Sequence, residues 1–135
     1  MILCDTDVII EYMKGNKVAK REIVEIGIDN IAVSSVSLME LFYGALNKRE
    51  LNLIKKALNT FKIIHIDTEI SNKAVGLIEK YSKSHGLEPP DALIGATAMA
   101  GNIELFTYNI SDFKFIDGLI LYKSISRGTP RGRRN

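Results

Sequence analysis

The chain has one cysteine, two histidines and no tryptophan among 135 residues. A lone cysteine, Cys4, excludes a disulfide scaffold. With only His65 and His85 beside it, a Cys/His zinc cluster is excluded too. Long apolar runs are also missing: the longest stretch of apolar residues with Gly and Thr, Ala92 to Gly101, holds ten residues, against the ~18–20 of a membrane span. Only four residues precede Asp5, which leaves no room for the apolar core of a secretory signal. No linker, repeat or low-complexity stretch interrupts the chain before Arg127. These absences point to a cytoplasmic, soluble protein with one domain over residues 1–126, a size that buries roughly two thirds of its unfolded surface.

Net charge is small in the body of that domain. The formal net charge is +2, yet Arg127, Arg131, Arg133 and Arg134 all fall in the last nine residues. Without them, fourteen basic residues face sixteen acidic ones. The globule is mildly acidic, and residues 127–135 read as a basic, flexible tail or an arm for phosphates.

What the chain does have is alternation. Met1-Ile2-Leu3-Cys4 is a short continuous apolar run, the pattern of a strand buried on both faces. Similar runs recur at Ile31–Val33, Ile63–Ile66, Ile103–Phe106 and Leu119–Tyr122. Helical stripes lie between them: Leu38, Leu41, Phe42 and Ala45; Leu51, Ile54, Leu58 and Phe61; then Ile70, Ala74, Leu77, Ile78 and Tyr81, ending at Gly86 as a C-cap. Ala92 to Ala100 is apolar all round, as in a helix buried on most sides. Strands alternating with amphipathic helices predict an α/β fold, a three-layer α/β/α sandwich around a central, mostly parallel sheet.

Open parallel sheets collect ligands outside the carboxyl ends of their strands. Asp5 and Asp7 follow the first predicted strand, Glu40 lies early in the helix after the second, Asp67 follows the third, and Thr107, Asn109 and Asp112 follow the fourth. Asp91 opens the apolar helix after Pro89-Pro90. Each has a plain structural reading. Asp5, Asp7 or Asp67 suits an N-cap. Ser37 with Glu40 spells a capping box. Asp91 complements a helix dipole, and Asp112 suits a turn. Together, Asp5, Glu40, Asp91 and Asp112 would form an acidic cleft with no cationic partner in view. Two such charges ~4 Å apart repel by about 4 kcal/mol at an effective dielectric of 20. A cleft of that kind takes up protons or divalent cations, and all-oxygen ligands suit Mg²⁺ or Mn²⁺. Thr107 and Asn109 would orient a carboxylate or a bound water. That chemistry is phosphate-ester hydrolysis.

Four stretches, in order, resemble the PIN-domain ribonucleases, and among them the VapC-type toxins of type II toxin–antitoxin pairs: Ile2 to Ile10 with its Asp5-Thr6, Ser37 to Ala45 with its Glu40-Leu41, Pro90 to Ala98 with its Asp91, and Thr107 to Phe113 as Thr-x-Asn-x-x-Asp-Phe. The resemblance runs from Met1 to about Ser124. It implies metal-binding and catalytic roles for Asp5, Glu40, Asp91 and Asp112, with Thr6, Thr107 and Asn109 in support. It also implies metal-dependent endonucleolytic cleavage of RNA, transfer and ribosomal RNA included, leaving a 5′-phosphate and a 3′-hydroxyl. Its implied partners are a second copy of the chain, as a homodimer, and a cognate VapB-like antitoxin. Asp7 departs from the Ser or Asn frequent at its position; it reads as a helix cap pointing away, with a ligand's outer shell as the alternative.

Rival readings stay in view. Asp5-Thr6-Asp7 mimics the opening of haloacid-dehalogenase phosphotransferases, but no strand end supplies the later lysine or adjacent acid pair, and a receiver domain fails for want of the same lysine. A housekeeping RNA-processing endonuclease of the same fold, or a non-catalytic partner-binding module, would share all four motifs. Cys4 reads as a small core hydrophobe, His65 as a strand residue, and His85 as a cation suited to a helix end. Tyr12, Tyr43 and Tyr108 read as packing residues able to stack on bases. Lys48, Arg49, Lys55 and Lys56 read as a solvated basic face.

Overall fold

The computed structural model describes residues 1–123. The basic segment 127–135 and the expected boundary at residue 126 lie outside the described residues. Strands β1 (Ile2–Cys4), β2 (Ile31–Ser34), β3 (Lys62–Ile64) and β4 (Glu104–Phe106) form one sheet in the order β3-β2-β1-β4. All three pairings are parallel. Parallel neighbours need crossovers, which are supplied by α1 (Thr6–Met13), α2 (Lys17–Ile26), α3 (Ser35–Tyr43), α4 (Lys48–Leu58), α5 (Thr68–His85) and α6 (Pro89–Gly101). The expected three-layer sandwich is what forms.

The strand sequences explain the layering. Successive side chains point to opposite faces. Leu3, Ala32 and Leu105 join one core with Ile70, Ala74 and Leu77 of α5 and Ile94 and Ala98 of α6. Cys4, Ile31, Val33 and Phe106 join a second core with Val8 and Ile9 of α1, Ile23 of α2 and Leu58 of α4. Both faces are therefore covered, so the inner strand positions are apolar, with Ser34, Lys62 and Glu104 only at strand ends. Cys4 is fully buried, the packing role expected of it. No helix among the described residues is long and apolar enough to cross a membrane.

Several local expectations change. Helix α2 has no counterpart in the sequence reading. Asn16 caps it by accepting from the Val18 and Ala19 N–H groups at 2.9 and 3.1 Å, and Gly27 ends it. The Ser37–Glu40 capping box does not form. Strand β2 runs directly into α3, so Ser34 is the N-cap and accepts from Val36 N–H at 3.1 Å, leaving Ser37 inside the helix and buried. The fifth apolar run gives only an isolated parallel bridge, Leu105 to Leu121. Ile120 within it is 58% exposed, so this stretch lacks the two-sided cover that a full strand enjoys. Strand β3 stops at Ile64, so His65 is exposed just beyond it. Other local readings hold: Asp67 caps α5 by accepting from Ile70 N–H at 2.8 Å, and Gly86 ends it at φ 71°, a left-handed conformation that favours glycine.

Candidate active site

The sheet order makes β1 central, with β2 on one side and β4 on the other, so the chain diverges at its carboxyl end. The expected site residues gather there. Asp5 leaves β1 and caps α1, accepting from Thr6 N–H at 2.8 Å through Oδ1. Its other oxygen, Oδ2, accepts from the Thr107 hydroxyl at 2.8 Å, just past β4. The Asp5 main chain is pinned as well, its N–H donating to Phe106 O at 2.8 Å. Asp5 thus caps α1 while its second oxygen is held at the expected site.

Thr6 extends the constellation to α3. Its Oγ1 lies 2.7 Å from Glu40 Oε1 and 2.8 Å from Ser37 Oγ. A hydroxyl has one proton, and a charged acceptor holds it most strongly, so Thr6 orients the Glu40 carboxylate. Asn109 enters through its backbone, donating N–H to Thr107 Oγ1 at 3.0 Å. This holds Thr107 on Asp5. Asp7 does not cap α1. It accepts from Tyr108 N–H at 3.0 Å through Oδ2, tying α1 to the segment after β4. The Tyr108 hydroxyl donates in turn to Glu22 on α2 at 3.2 Å. Ser37 and this Glu22–Tyr108 link are absent from the sequence reading. A serine on the buried side of α3 was a readable sign of the first; nothing local marks the second.

Asp91 is the third residue of α6, and Asp112 sits in a 3₁₀ turn, Ile110–Asp112. They line one cleft of about 270 Å³ with His85, Glu88 and Phe115. Burial pushes the Asp5 carboxyl up to about 7, helped by the negative charges of Asp7 and Asp91 and opposed by the Thr107 and Thr6 hydrogen bonds. Asp91 is raised to about 6, by burial first and then by Asp112, Glu40, Glu88 and Asp7. Asp91 thus feels the charges of Asp112 and Glu40, and Asp5 feels that of Asp91. The ion pairs among the described residues are Lys14–Glu11 and Lys80–Asp117, and none of the four takes part.

Among the described residues no three acidic, histidine or cysteine side chains are close enough to hold one ion jointly. Asp5, Glu40, Asp91 and Asp112 share a field rather than a closed ligand sphere. The donor chemistry nevertheless fits a hard divalent cation: the groups are carboxylate oxygens, and two of them hold protons more tightly than ordinary carboxylates, through burial first and the neighbouring negative charges second. A cation would offset those charges.

Residues 2–119 match the PIN domain family. This chain belongs to the PIN-domain family. Within it the kinship is with VapC ribonucleases: Ribonuclease VapC10 of Mycobacterium tuberculosis is 31% identical over 88% of this chain and 90% of its own length. A chain of a toxin–antitoxin complex from Klebsiella pneumoniae superposes with a TM-score of 0.75 at 33% identity, covering 93% of this chain and all of that one. A chain of VapBC2 from Rickettsia felis, solved bound to a DNA fragment from its promoter, gives 0.77 at 27% identity over 90% and 98%. In this PIN domain the four sequence motifs sit at the carboxyl edge of the sheet, and the order β3-β2-β1-β4 places them there.

Proposed function

We propose that this chain is an endoribonuclease toxin of a VapBC-type pair, hydrolysing RNA phosphodiester bonds with Asp5, Glu40, Asp91 and Asp112 in the presence of Mg²⁺ or Mn²⁺. The observation that carries the reading is the hydrogen-bonded set Thr107–Asp5–Thr6–Glu40 at the divergent carboxyl edge of a parallel sheet, where Asp5 and Asp91 are also raised by burial and by neighbouring acids. The VapC ribonucleases among its relatives supply the reaction class.

A divalent cation held by Asp5 and Asp91, with Glu40 and Asp112 adjacent, would lower the pKa of a water and offset charge on the phosphoryl oxygens. Thr107 fixes the Asp5 carboxylate, and Asn109 keeps Thr107 in place. Thr6 sets the Glu40 carboxylate, the group positioned to accept a proton from the attacking water. Asp112 lines the same cleft as Asp91, where it would help hold the cation, and the leaving 3′-oxygen would take its proton from solvent.

The antitoxin partner has a surface to meet. A groove of about 690 Å³ between α1, α3 and α4, lined by Ile10, Met13, Leu41, Leu53 and Ile54, reaches Glu40. A VapB-like segment lying there would close the site from its α3 side. A homodimer in the cytoplasm completes the proposal. The test is expression in a bacterial host: growth arrest from the wild-type chain, none from Asp91→Asn, and relief by co-expression of a small reading frame should one lie immediately upstream of the gene. Arrest by both chains alike would remove Asp91 from the reaction. A housekeeping nuclease would cleave without arresting growth.

A further inference from the structure

We propose that His85 and Phe115 form an aromatic platform that holds one unpaired nucleobase of the RNA beside the scissile phosphate. The proposal rests on the nuclease reading above and adds to it where the substrate lies and what the cleft selects. His85 is the last residue of α5, and its imidazole lies flat on the Phe115 ring, with centroids 4.3 Å apart and planes inclined by 12°. Tyr81 packs edge-on to His85 at 5.8 Å and tilted against Phe115 at 5.3 Å, so the stack is backed from behind by a buried ring. Ser84 Oγ stands 2.8 Å from His85 Nδ1 and fixes the rotation of the imidazole. Gly86, in a left-handed conformation, turns the chain immediately after it.

This stack does more than finish a helix. His85 and Phe115 line the same cleft as Asp91 and Asp112, and His85 remains exposed there. The cleft, about 270 Å³, falls just below the roughly 300–1,000 Å³ of a drug-sized pocket and is suited to a single planar base. Its wall carries Glu88, Asp91 and Asp112; without a cation these disfavour a bare phosphate, and Glu88, outside the proposed cation site, favours a neutral ring whose edge donates hydrogen bonds. Glu88 occupies the N-cap position of α6, yet its side chain makes no capping hydrogen bond. A carboxylate there pairs with the adjacent N–H donors of guanine better than with uracil, whose single N–H is flanked by carbonyls. The structure thus assigns this subsite to an unpaired base, guanine before uracil, which requires single-stranded or looped RNA.

The test combines binding and kinetics. Proton NMR of the wild-type protein follows the His85 ring on addition of guanosine monophosphate, uridine monophosphate or inorganic phosphate. The expected result is an upfield ring-current shift with the guanine nucleotide, a weaker one with uridine and none with phosphate. In parallel, short single-stranded RNAs are cleaved by the wild type, His85→Ala and His85→Phe. His85→Ala should raise KM about tenfold, or about 1.4 kcal/mol, within the range of base–aromatic stacking. Its kcat should be retained, and His85→Phe should restore KM. Equal KM in all three, or His85→Phe failing as His85→Ala does, overturns the platform. If the nucleotide shifts His85 while the wild type cuts no RNA in Mg²⁺ or Mn²⁺, the subsite stands and the nuclease reading falls.

Discussion

Replacing Asp5 with asparagine should stabilise the metal-free protein near neutral pH, although it removes a central site residue. The carboxyl is buried and raised from 3.8 to about 7, so the folded chain binds this proton more tightly than the unfolded chain does. The favourable contribution is complete below pH ~3.8 and is lost as pH climbs through about 7. The shift of roughly three units corresponds to about 4 kcal/mol as a ceiling. Relaxation and water entry reduce that to about 2 kcal/mol. For a domain of this size, that is roughly 7 °C in Tm. Asparagine keeps an oxygen for Thr6 N–H, and its amide N–H donates to Thr107 Oγ1, reversing that hydrogen bond without the charge. Thermal unfolding of both proteins in EDTA from pH 4.5 to 8 is the assay. The two melting curves should lie close together at pH 4.5 and separate as pH rises, with the variant the more stable. A variant less stable by the same margin at every pH would refute the reasoning.

The remaining predictions bear on the same edge of the sheet and its supports. Divalent cation should close the Tm gap between wild type and Asp5→Asn at pH 8 by stabilising the wild type alone, read by the same melts with 5–10 mM Mg²⁺ (on the order of typical assay levels). Thr107→Val leaves one oxygen of the buried Asp5 without its hydroxyl donor; it should cost about 1–3 kcal/mol by denaturant titration at pH 8 and lower RNA cleavage about 10–100-fold. Asp67→Ala removes the cap of α5 and should cost about 1 kcal/mol with cleavage unchanged. Gly86→Ala forces a β-carbon onto a residue at φ 71° and should cost about 1 kcal/mol or more, again by denaturant titration.

The sheet and its helices were legible because burial on both faces demands uninterrupted apolar strands. Leu3 and Cys4 face opposite cores, and both had to be apolar. The edges were harder. Ile120 and the Leu119–Tyr122 run look like Leu105 and Phe106 in composition, but one has helices on both sides and the other does not. Helix α2 was legible in part: Asn16, Ala19, Ile23, Ile26 and Gly27 spell a capped, one-faced helix. Its exposed face and a buried Glu22 dilute that signal.

The site divides in the same manner. Asp5, Glu40, Asp91 and Asp112 share places after strands or early in helices, because a parallel sheet sends every strand's carboxyl end to the same edge, but Asp67 has such a place too, and the four motifs of the family resemblance singled the others out. The partner of Asp7 could not be named. Tyr108 N–H is 101 positions away, and no local pattern encodes such a contact. The capping box failed because three serines, Ser34, Ser35 and Ser37, compete to start one helix. The strand before them decides in favour of Ser34. The stacking of His85 on Phe115 is likewise a meeting of distant segments, so the sequence offers His85 only as a helix-end cation.

The most direct measurement is cleavage of total RNA and transfer RNA by the purified protein in Mg²⁺, Mn²⁺ or EDTA, beside Asp91→Asn. The account predicts discrete cuts with 5′-phosphate ends that require the metal, vanish in EDTA and fall at least about 100-fold in the variant. Cuts that persist in EDTA, or that Asp91→Asn makes at the wild-type rate, would contradict it.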